Sequence, residues 1–270
     1  LIFAVNTQDI EMIDIVLKYN NKPSFVNKIS RSGTALYNAV KTKNVSIIKH
    51  LLSIPGINPS LYNYNNETPL ILAVKQLNIE IVDILLDFLG ERISQSEVNE
   101  VLKLILNTKS TFKDTSLIID KMILKISKIK TIDPNVIYKN TSLLLTACEN
   151  NNIELVNNLF KFDSINTNIY LTENGNTPLI VAIQKKNIEI AKLILNHPRT
   201  DINMNNYDNK DALYFAIQNN LYEIIDSILT NENYIQKINE INYLFYSSNK
   251  ELLPHILKSK YVDVNVIITK

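Results

Sequence analysis

Several residue types are scarce in this sequence of 270 residues, and each scarcity excludes a class of protein. Only 4 glycines are present, too few to build a glycine-rich phosphate loop or a Gly-x-Ser-x-Gly elbow, and neither motif occurs. The single cysteine, Cys148, cannot form an internal disulfide, which indicates a reducing, intracellular setting. The 3 histidines, His50, His197 and His255, form no metal-binding pair with one another or with the cysteine. The sequence therefore predicts no metal, no cofactor and no catalytic residue.

An excess of charge of either sign is also missing. The 28 basic and 27 acidic residues leave a net charge of +1, so no global field favours nucleic acid as a partner. No apolar stretch is long enough to span a membrane, and no N-terminal segment resembles a signal peptide. Because the hydrophobic content is 46%, the chain has ample material for a core. We expect a folded, cytoplasmic monomer that inserts into no membrane.

A short sequence motif recurs at regular intervals along the chain. It recurs about every 34 residues, with one longer gap that contains a degenerate copy, and such a period is typical of a repeat array. Repeat arrays present long surfaces to partners, and nothing in the repeated phrase performs chemistry. The copies are Asp9-Ile-Glu11, Asn44-Val-Ser46, Asn78-Ile-Glu80, Asn152-Ile-Glu154, Asn187-Ile-Glu189, Leu221-Tyr-Glu223 and Asn249-Lys-Glu251.

The clearest copy, residues 176–203, has the pattern of a helix, a turn and a second helix. Thr177 is a typical N-cap residue, Pro178 follows at the first helical position, and apolar residues recur at helical spacing. Asn187 then caps a second helix, whose Glu189 suits the positive end of the helix dipole. A polar finger turn links this helix pair to the next pair.

The same offsets place caps and tight turns in the other copies. Two residues before each cap lies a turn position, where Asn often replaces Gly because Asn tolerates a left-handed backbone. The predicted caps are Thr34, Thr68, Ser142 and Asp211, and the turn positions are Ser32, Asn66, Asn140, Gly175 and Asn209.

Two segments carry a family resemblance. Glu67-Thr-Pro-Leu-Ile-Leu-Ala73 and Asn176-Thr-Pro-Leu-Ile-Val-Ala182, each followed by Asn-Ile-Glu-Ile, resemble ankyrin repeats. The resemblance implies an all-α solenoid of helix-turn-helix units joined by short finger turns, and a function in protein binding. The family's Gly before the second helix is replaced here, which predicts weaker hydrogen bonding at that turn. The replacing residues are Leu77, Asn151 and Lys186.

The repeats divide the whole chain, 1–270, into a single array of about seven to eight units. The fourth unit is irregular, with predicted helices over Glu97–Asn107 and Phe112–Ser127, and the last contains Pro254 inside its second helix. Both ends fall inside a repeat, so we expect a piece of a longer array. The predicted units are 1–30 (partial), 31–64, 65–93, 94–137 (degenerate), 138–172, 173–207, 208–235 and 236–262, with 263–270 as the start of a further repeat or a tail.

Tyrosines are the first candidate partner-binding residues. Tyr64, Tyr138 and Tyr207 each lie four residues before a predicted cap, and Tyr62 precedes Tyr64 by two residues, which places both rings on one face of an extended finger. Tyrosine buries a large area at little entropic cost and is favoured in binding hot spots. The alternative is that these rings pack on the neighbouring finger.

Polar pairs on the exposed side of the first helices are the second set of candidates. They are nearly neutral in sum, so the groove they line would suit a hydrogen-bonding peptide or protein surface, although ordinary solvated helix faces have the same composition. The pairs that we expect to bind are Lys75 with Gln76 and Gln184 with Lys185.

Two other charged groups have simpler explanations. The glutamates that recur once per repeat cannot meet to form a catalytic pair, because neighbouring helices lie about 10 Å apart. The lysines of the irregular repeat form either an anion-binding patch, with Lys128 and Lys130 as the best phosphate contacts, or a solvated face. These lysines are Lys103, Lys109, Lys113, Lys121, Lys125, Lys128, Lys130 and Lys139.

Two classes of function remain open at this stage. The first is a non-catalytic scaffold that binds a protein or peptide in a concave groove and at its fingertips. The second is a targeting or regulatory arm of a larger enzyme, channel or ubiquitin-ligase adaptor, or a host-directed ankyrin effector. The sequence does not identify the partner.

The irregular repeat generates a prediction about local stability. Because it lacks the Thr-Pro-Leu signature, we expect the stack to loosen between Phe88 and Tyr138 and to divide there. Amide hydrogen exchange should show faster exchange in this segment than in the flanking repeats. If the segment were the most protected part of the chain, the prediction would be wrong.

Overall fold

The computed structural model describes residues 1–107, 113–129, 132–170, 173–234, 251–252 and 254–255, with the backbone alone at 113–117. The chain divides into two compact units, Leu1–Val136 and Ile137–Lys270, which we call the N-terminal unit and the C-terminal unit. The boundary lies inside the segment where the sequence predicts a division. The exchange behaviour of that segment stays a prediction.

The N-terminal unit is a set of helix pairs. The first helices of successive pairs pack on one another, as do the second helices, so that each pair covers the apolar face of its neighbour. Its helices are α1 (Ile2–Asn6), α2 (Ile10–Tyr19), α3 (Pro23–Val26), α4 (Ala35–Lys41), α5 (Val45–Leu52), α6 (Pro69–Lys75), α7 (Ile79–Leu89), a 3₁₀ turn (Gly90–Arg92), α8 (Gln95–Asn107) and α9 (Lys113–Ile126).

The C-terminal unit repeats the same plan after a two-stranded hairpin. Strands β1 (Ile137–Tyr138) and β2 (Thr141–Ser142) pair antiparallel, with Ile137 opposite Ser142. The predicted all-α arrangement of helix pairs is confirmed. The helices are α10 (Leu143–Glu149), α11 (Ile153–Leu159), α12 (Pro178–Gln184), α13 (Ile188–Leu195), α14 (Ala212–Gln218) and α15 (Tyr222–Leu229).

Side-chain caps begin the first helices at the predicted residues. In each case the cap oxygen accepts a hydrogen bond from the backbone N–H three residues later, at 2.8 to 3.3 Å. Each bond satisfies one of the N–H groups that a helix start leaves without a partner. The confirmed caps are Thr34, Thr68, Ser142, Thr177 and Asp211.

Asparagine side chains cap three of the second helices and Asp9 caps α2, whereas α13 and α15 begin without a side-chain cap bond. Asn44, Asn78 and Asn152 accept from the N–H three residues later, as expected. Asn187 starts α13 but makes no such bond. Its Nδ2 instead donates to the carbonyl oxygen of Cys148 at 2.5 Å. The prediction that its side chain caps α13 is therefore wrong, because the bond to the previous repeat takes its place.

The prediction of weaker hydrogen bonding at the turn inside each helix pair is wrong. Leu77, Asn151 and Lys186 have φ of 52°, 53° and 59°, the left-handed region that usually requires glycine. The hydrogen bonds of the turn are nevertheless complete: the N–H of Asn187 donates to the carbonyl of Ala182 at 2.9 Å, in the pattern of a Schellman motif. The absence of glycine thus costs backbone conformational energy and does not weaken the hydrogen bonds.

The turn before each first helix follows the predicted position in three copies. Asn66, Gly175 and Asn209 all have positive φ. In the other two copies the left-handed residue is Gly33 instead of Ser32 and Lys139 instead of Asn140. Lys139 is the first residue of the two-residue hairpin loop between β1 and β2, a position where the favoured hairpin turns need positive φ.

Asparagine side chains also join successive repeats. Asn27 Nδ2 donates to the Gly56 carbonyl at 2.7 Å, and its Oδ1 accepts from the Asn58 N–H at 2.8 Å. Asn168 makes the equivalent pair of bonds with Arg199 and Asp201. An amide can pair with a peptide group in this two-sided way because it carries both a donor and an acceptor.

The irregular fourth repeat and the C-terminal segment are described to different extents. The irregular repeat contains α8 and α9 close to their predicted ranges. Most of the repeat predicted at 236–262 lies outside the described residues, as does all of 263–270. None of the helices in the described ranges is long and apolar enough to cross a membrane.

We predict opposite effects for glycine at two adjacent positions. Lys186 is left-handed, whereas Lys185 has φ of −78°. A left-handed non-glycine residue costs about 1–2 kcal/mol, and glycine adds about 0.5–1 kcal/mol of chain entropy. Lys186→Gly should therefore raise the free energy of unfolding by about 0.5–1 kcal/mol, and Lys185→Gly should lower it by a similar amount.

Urea denaturation of both variants measures these changes as shifts of the midpoint at constant slope. Equal shifts of the same sign would contradict the assignment of backbone strain to Lys186.

Candidate partner-binding surface

A tight asparagine turn presents the tyrosines of the N-terminal unit. In the N-terminal finger (residues 60–67), the Asn63 side chain accepts from the N–H groups of Asn65 and Glu67 at 2.8 and 3.0 Å. Asn63 is buried, whereas Tyr62 is 38% and Tyr64 73% exposed. The turn therefore directs the asparagine inward and leaves the two rings at the surface.

The C-terminal unit contains the same turn. In the C-terminal finger (residues 203–210), Asn206 accepts from the N–H groups of Asp208 and Lys210, both at 3.0 Å. Tyr207, which follows Asn206 as Tyr64 follows Asn63, is 67% exposed. The Asn-Tyr pair thus recurs with the same backbone bonds and the same exposed ring.

Tyr207 also contacts the neighbouring finger. Its ring lies over Gly175, where a Cβ would come within 2.5 Å of Cδ1. It stacks with Tyr170 at a centroid distance of 6.2 Å and an interplanar angle of 27°. Both interpretations of this tyrosine therefore apply, because one face packs on the neighbour while most of the ring remains exposed.

Tyr170 is a candidate that the sequence pattern missed. It lies seven residues before the cap Thr177, whereas Tyr64, Tyr138 and Tyr207 lie four residues before theirs. Its ring is 43% exposed beside Tyr207. No spacing rule could identify it, because its position follows from a contact with the next repeat.

Tyr138 has a different environment from Tyr64 and Tyr207. It lies in β1 and is half-buried, and the Lys139 ammonium lies 5.4 Å from its ring centroid. This distance is typical of a cation–π contact. The neighbouring Ile137 is exposed, so the hairpin offers an apolar side chain and a partly covered ring.

The Lys75 ammonium is held by a carboxylate. Its Nζ lies 2.6 Å from Glu67 Oε1, and the Tyr37 hydroxyl donates to Glu67 Oε2 at 2.6 Å. Burial acts to raise the pKa of Glu67, but the bonds from Lys75 and Tyr37 outweigh it and lower that pKa. Burial and the Glu67 bond together raise the pKa of Tyr37 to about 12. Lys75 therefore belongs to a fixed network next to the N-terminal finger.

Gln76 has a structural contact with the preceding repeat. It is half-buried at the end of α6, and its Nε2 donates to the Lys41 carbonyl at 3.4 Å. Its Oε1 is buried and accepts no hydrogen bond from the described residues. Of this pair, Lys75 is the more accessible residue.

Gln184 and Lys185 are both exposed, and Gln184 is linked to the C-terminal finger. Asn176 Nδ2 donates to Gln184 Oε1 at 3.1 Å, and Asn176 Oδ1 accepts from Asn206 Nδ2 at 2.8 Å. Asn206 holds the turn that presents Tyr207. A chain of amides therefore fixes the end of α12 relative to that ring.

The remaining chemical candidates have structural roles or charge partners. Burial strongly raises the pKa of the Cys148 thiol, which makes it a poor nucleophile. The recurrent glutamates Glu80 and Glu189 lie in the first turns of second helices. Within the described ranges, no group of three His, Cys, Asp or Glu side chains could hold a metal ion.

The predicted lysine patch is only partly described. Lys125 lies 3.1 Å from Asp87 and 3.6 Å from Asp83, so its charge is balanced. A cavity of about 320 Å³ beside it is lined by Asp87 and Glu91 as well as by Lys125 and Lys128. The side chains of Lys109, Lys113 and Lys130 lie outside the described residues. Anion binding by this patch stays a prediction.

Comparison with known proteins places this geometry in a family. A family model of ankyrin repeats matches three times, over residues 1–97, 93–206 and 144–242. A search of curated proteins returned no match.

Solved structures show the same fold at low sequence identity. An ankyrin repeat protein from Leishmania major is 18% identical with a TM-score of 0.53, over 86% of this chain and 80% of that one. The ankyrin repeat domain of Bcl-3, a unique member of the IkappaB protein family, is 17% identical with a TM-score of 0.52, over 79% and 92%. The ankyrin repeat protein EF0377 is 20% identical with a TM-score of 0.50, over 76% and 100%. The helix pairs, their caps and the family matches agree, and the chain belongs to the ankyrin repeat family.

Proposed function

We propose that this chain is a non-catalytic interaction module that holds a protein or peptide at its finger turns and at the exposed ends of its first helices. Ankyrin repeats generally mediate protein–protein interaction and are typically non-enzymatic. One observation carries the proposal: Tyr64 and Tyr207 occupy equivalent turns and remain 73% and 67% exposed. Large rings held in this way gain most from burial against a partner.

The asparagine turns support binding by fixing the rings in advance. Asn63 and Asn206 each accept two backbone N–H bonds directly beside the ring that they present. A partner that covers Tyr64 or Tyr207 therefore orders little additional backbone. Pre-organisation of this kind raises affinity because it lowers the entropic cost of association.

The polar pairs supply orientation in this proposal. Gln184 and Lys185 offer exposed hydrogen-bonding groups at the end of α12, and Lys75 offers part of its ammonium while it remains bonded to Glu67. Gln76 contributes through its contact with Lys41 more than through its own surface. The mixed charge of these residues favours a polar protein surface over a polyanion.

We also propose that the module works as a cytoplasmic scaffold and as a monomer. The single cysteine, Cys148, is buried and supports a reducing compartment. The balance of 28 basic and 27 acidic residues supports a protein partner over nucleic acid.

We predict that four tyrosines carry most of the binding energy. A variant with Tyr62, Tyr64, Tyr138 and Tyr207 changed to Ala should lose its partner, since each hot-spot ring contributes about 2 kcal/mol, or about a 30-fold change in Kd. Pull-down from lysate with mass spectrometry identifies the partner, and titration of the purified partner measures the loss.

Tyr19 supplies the matched control because it is 87% exposed and lies at the end of α2, outside the finger sequences. Tyr19→Ala should bind like the wild type. Variants restricted to Tyr62 and Tyr64, or to Tyr138 and Tyr207, assign the loss to one unit. Unchanged binding by a four-tyrosine variant with a normal thermal melt would refute the proposal.

A further inference from the structure

The carboxyl group of Glu97 is buried beside two hydroxyls and has no cationic partner among the described side chains. Glu97 occupies the first turn of α8, and its side chain is 0% exposed. Its backbone N–H donates to Ser94 Oγ at 3.2 Å, so Ser94 and Glu97 have the spacing of a capping box. In that motif the carboxylate returns to the N–H of the cap residue. Here both carboxyl oxygens are buried, and within the described ranges neither makes a hydrogen bond of ordinary geometry.

The carboxyl lies between α8, the start of α6 and the N-terminal finger. The hydroxyl groups of Ser60 in the finger and Thr68 at the α6 cap are close enough to act on the carboxyl by hydrogen bonding. Tyr62, in the same finger, is close enough for the charges of Glu97 and Glu100 to act on its phenol. The Glu97 carboxyl and the hydroxyls of Ser60 and Thr68 therefore lie where α8 meets the N-terminal finger, a contact that we call the joint.

No basic group compensates a charge at this position among the described side chains. On α6 the only ionisable residue is Lys75, which is bonded to Glu67. On α8 the neighbouring Glu100 is acidic. On α9, Lys125 is paired with Asp83 and Asp87 of α7.

The other ionisable side chains of the packed helices do not shift the carboxyl. Among the described side chains these are Lys103 on α8 and Asp120 and Lys121 on α9, and none of the three acts on Glu97.

Burial decides the protonation of Glu97. It raises the pKa of the carboxyl above 4.5, and the hydroxyls of Thr68 and Ser60 lower it only in part. The folded state therefore holds this proton more tightly than the unfolded chain does. The stability that results is complete below pH 4.5 and is lost as the pH rises through the folded-state pKa.

We propose that Glu97 is a proton-operated latch that holds the N-terminal finger against α8 when neutral and releases it when charged. A neutral carboxyl has one O–H that can donate to Ser60 or Thr68, and it avoids the cost of a buried charge. The ionised carboxylate has no cation beside it among the described residues, so water must enter the joint. The finger that presents Tyr62 and Tyr64 then loosens as the pH rises.

Thermal melts across pH test the latch in the whole chain without any partner. Glu97→Gln keeps the shape and the neutral charge, so its Tm should equal the wild-type value near pH 4 and exceed it by about 2–4 °C near pH 8. Glu100→Gln, at an exposed position on the same helix, is the matched control and should show no gap that grows with pH. A constant gap, or an equal one in Glu100→Gln, would overturn the proposal.

Two measurements on the wild-type protein keep the test valid if Glu97→Gln does not fold. Carboxyl ¹³C NMR should show Glu97 titrating above 4.5, the reference value for a free glutamate. Amide exchange at residues 60–64, corrected for its intrinsic pH dependence, should lose protection as the pH rises. Titration of Glu97 at or below 4.5, or protection that does not change, contradicts the latch.

The effect on partner binding rests on the proposed function, whereas the latch itself does not. If the pH-dependent gap appears and the four-tyrosine variant still binds, the latch stands and the binding surface is wrong. If the gap is absent and that variant loses its partner, the binding surface stands and the latch is wrong.

Discussion

Helices of seven residues, such as α6, α12 and α14, are too short to satisfy their own backbone. A helix leaves its first four N–H and last four C=O groups without partners, so in these elements most of the polar backbone depends on what lies at the ends. Caps such as Thr68 supply acceptors at one end, and a left-handed turn closes the other. The packing of one helix pair on the next requires these bonds, because a buried unpaired peptide group is costly.

In a chain with only 4 glycines, asparagine takes several of the cap, turn and repeat-joining positions. Asn44 and Asn78 cap second helices, Asn66 takes a left-handed turn, and Asn27 joins neighbouring repeats. A single amide fulfils all three roles because it donates, accepts and tolerates positive φ. An asparagine side chain also holds the finger turn at Asn63, where it accepts a backbone hydrogen bond. Asparagine therefore stabilises both the structural turns and the turns that present the candidate binding tyrosines.

Two glutamate carboxyls near the N-terminal finger have pKa values shifted in opposite directions by their environments. Glu67 receives bonds from Lys75 and Tyr37, which lower its pKa despite burial. Glu97 has two hydroxyls and no cation among its described neighbours, so burial raises its pKa. One stabilises the fold as a charge, and the other as a neutral acid. The finger is therefore held by contacts that respond to pH in opposite directions.

The sequence by itself determined the repeat period, the helix pairs and caps such as Thr177, because a cap bonds to a backbone group only three residues away. Only the tertiary structure decided which side chains contact another repeat and do not bond to the backbone nearby in sequence. Asn187 bonds to Cys148, 39 positions distant, and Tyr170 stacks on Tyr207 of the next repeat. Glu97 has the spacing of a local capping box, yet its carboxyl is buried between repeats. Whether a side chain makes its local bond or a contact with another repeat depends on the residues of the repeat that packs beside it. The spacing of residues along the chain does not contain that information.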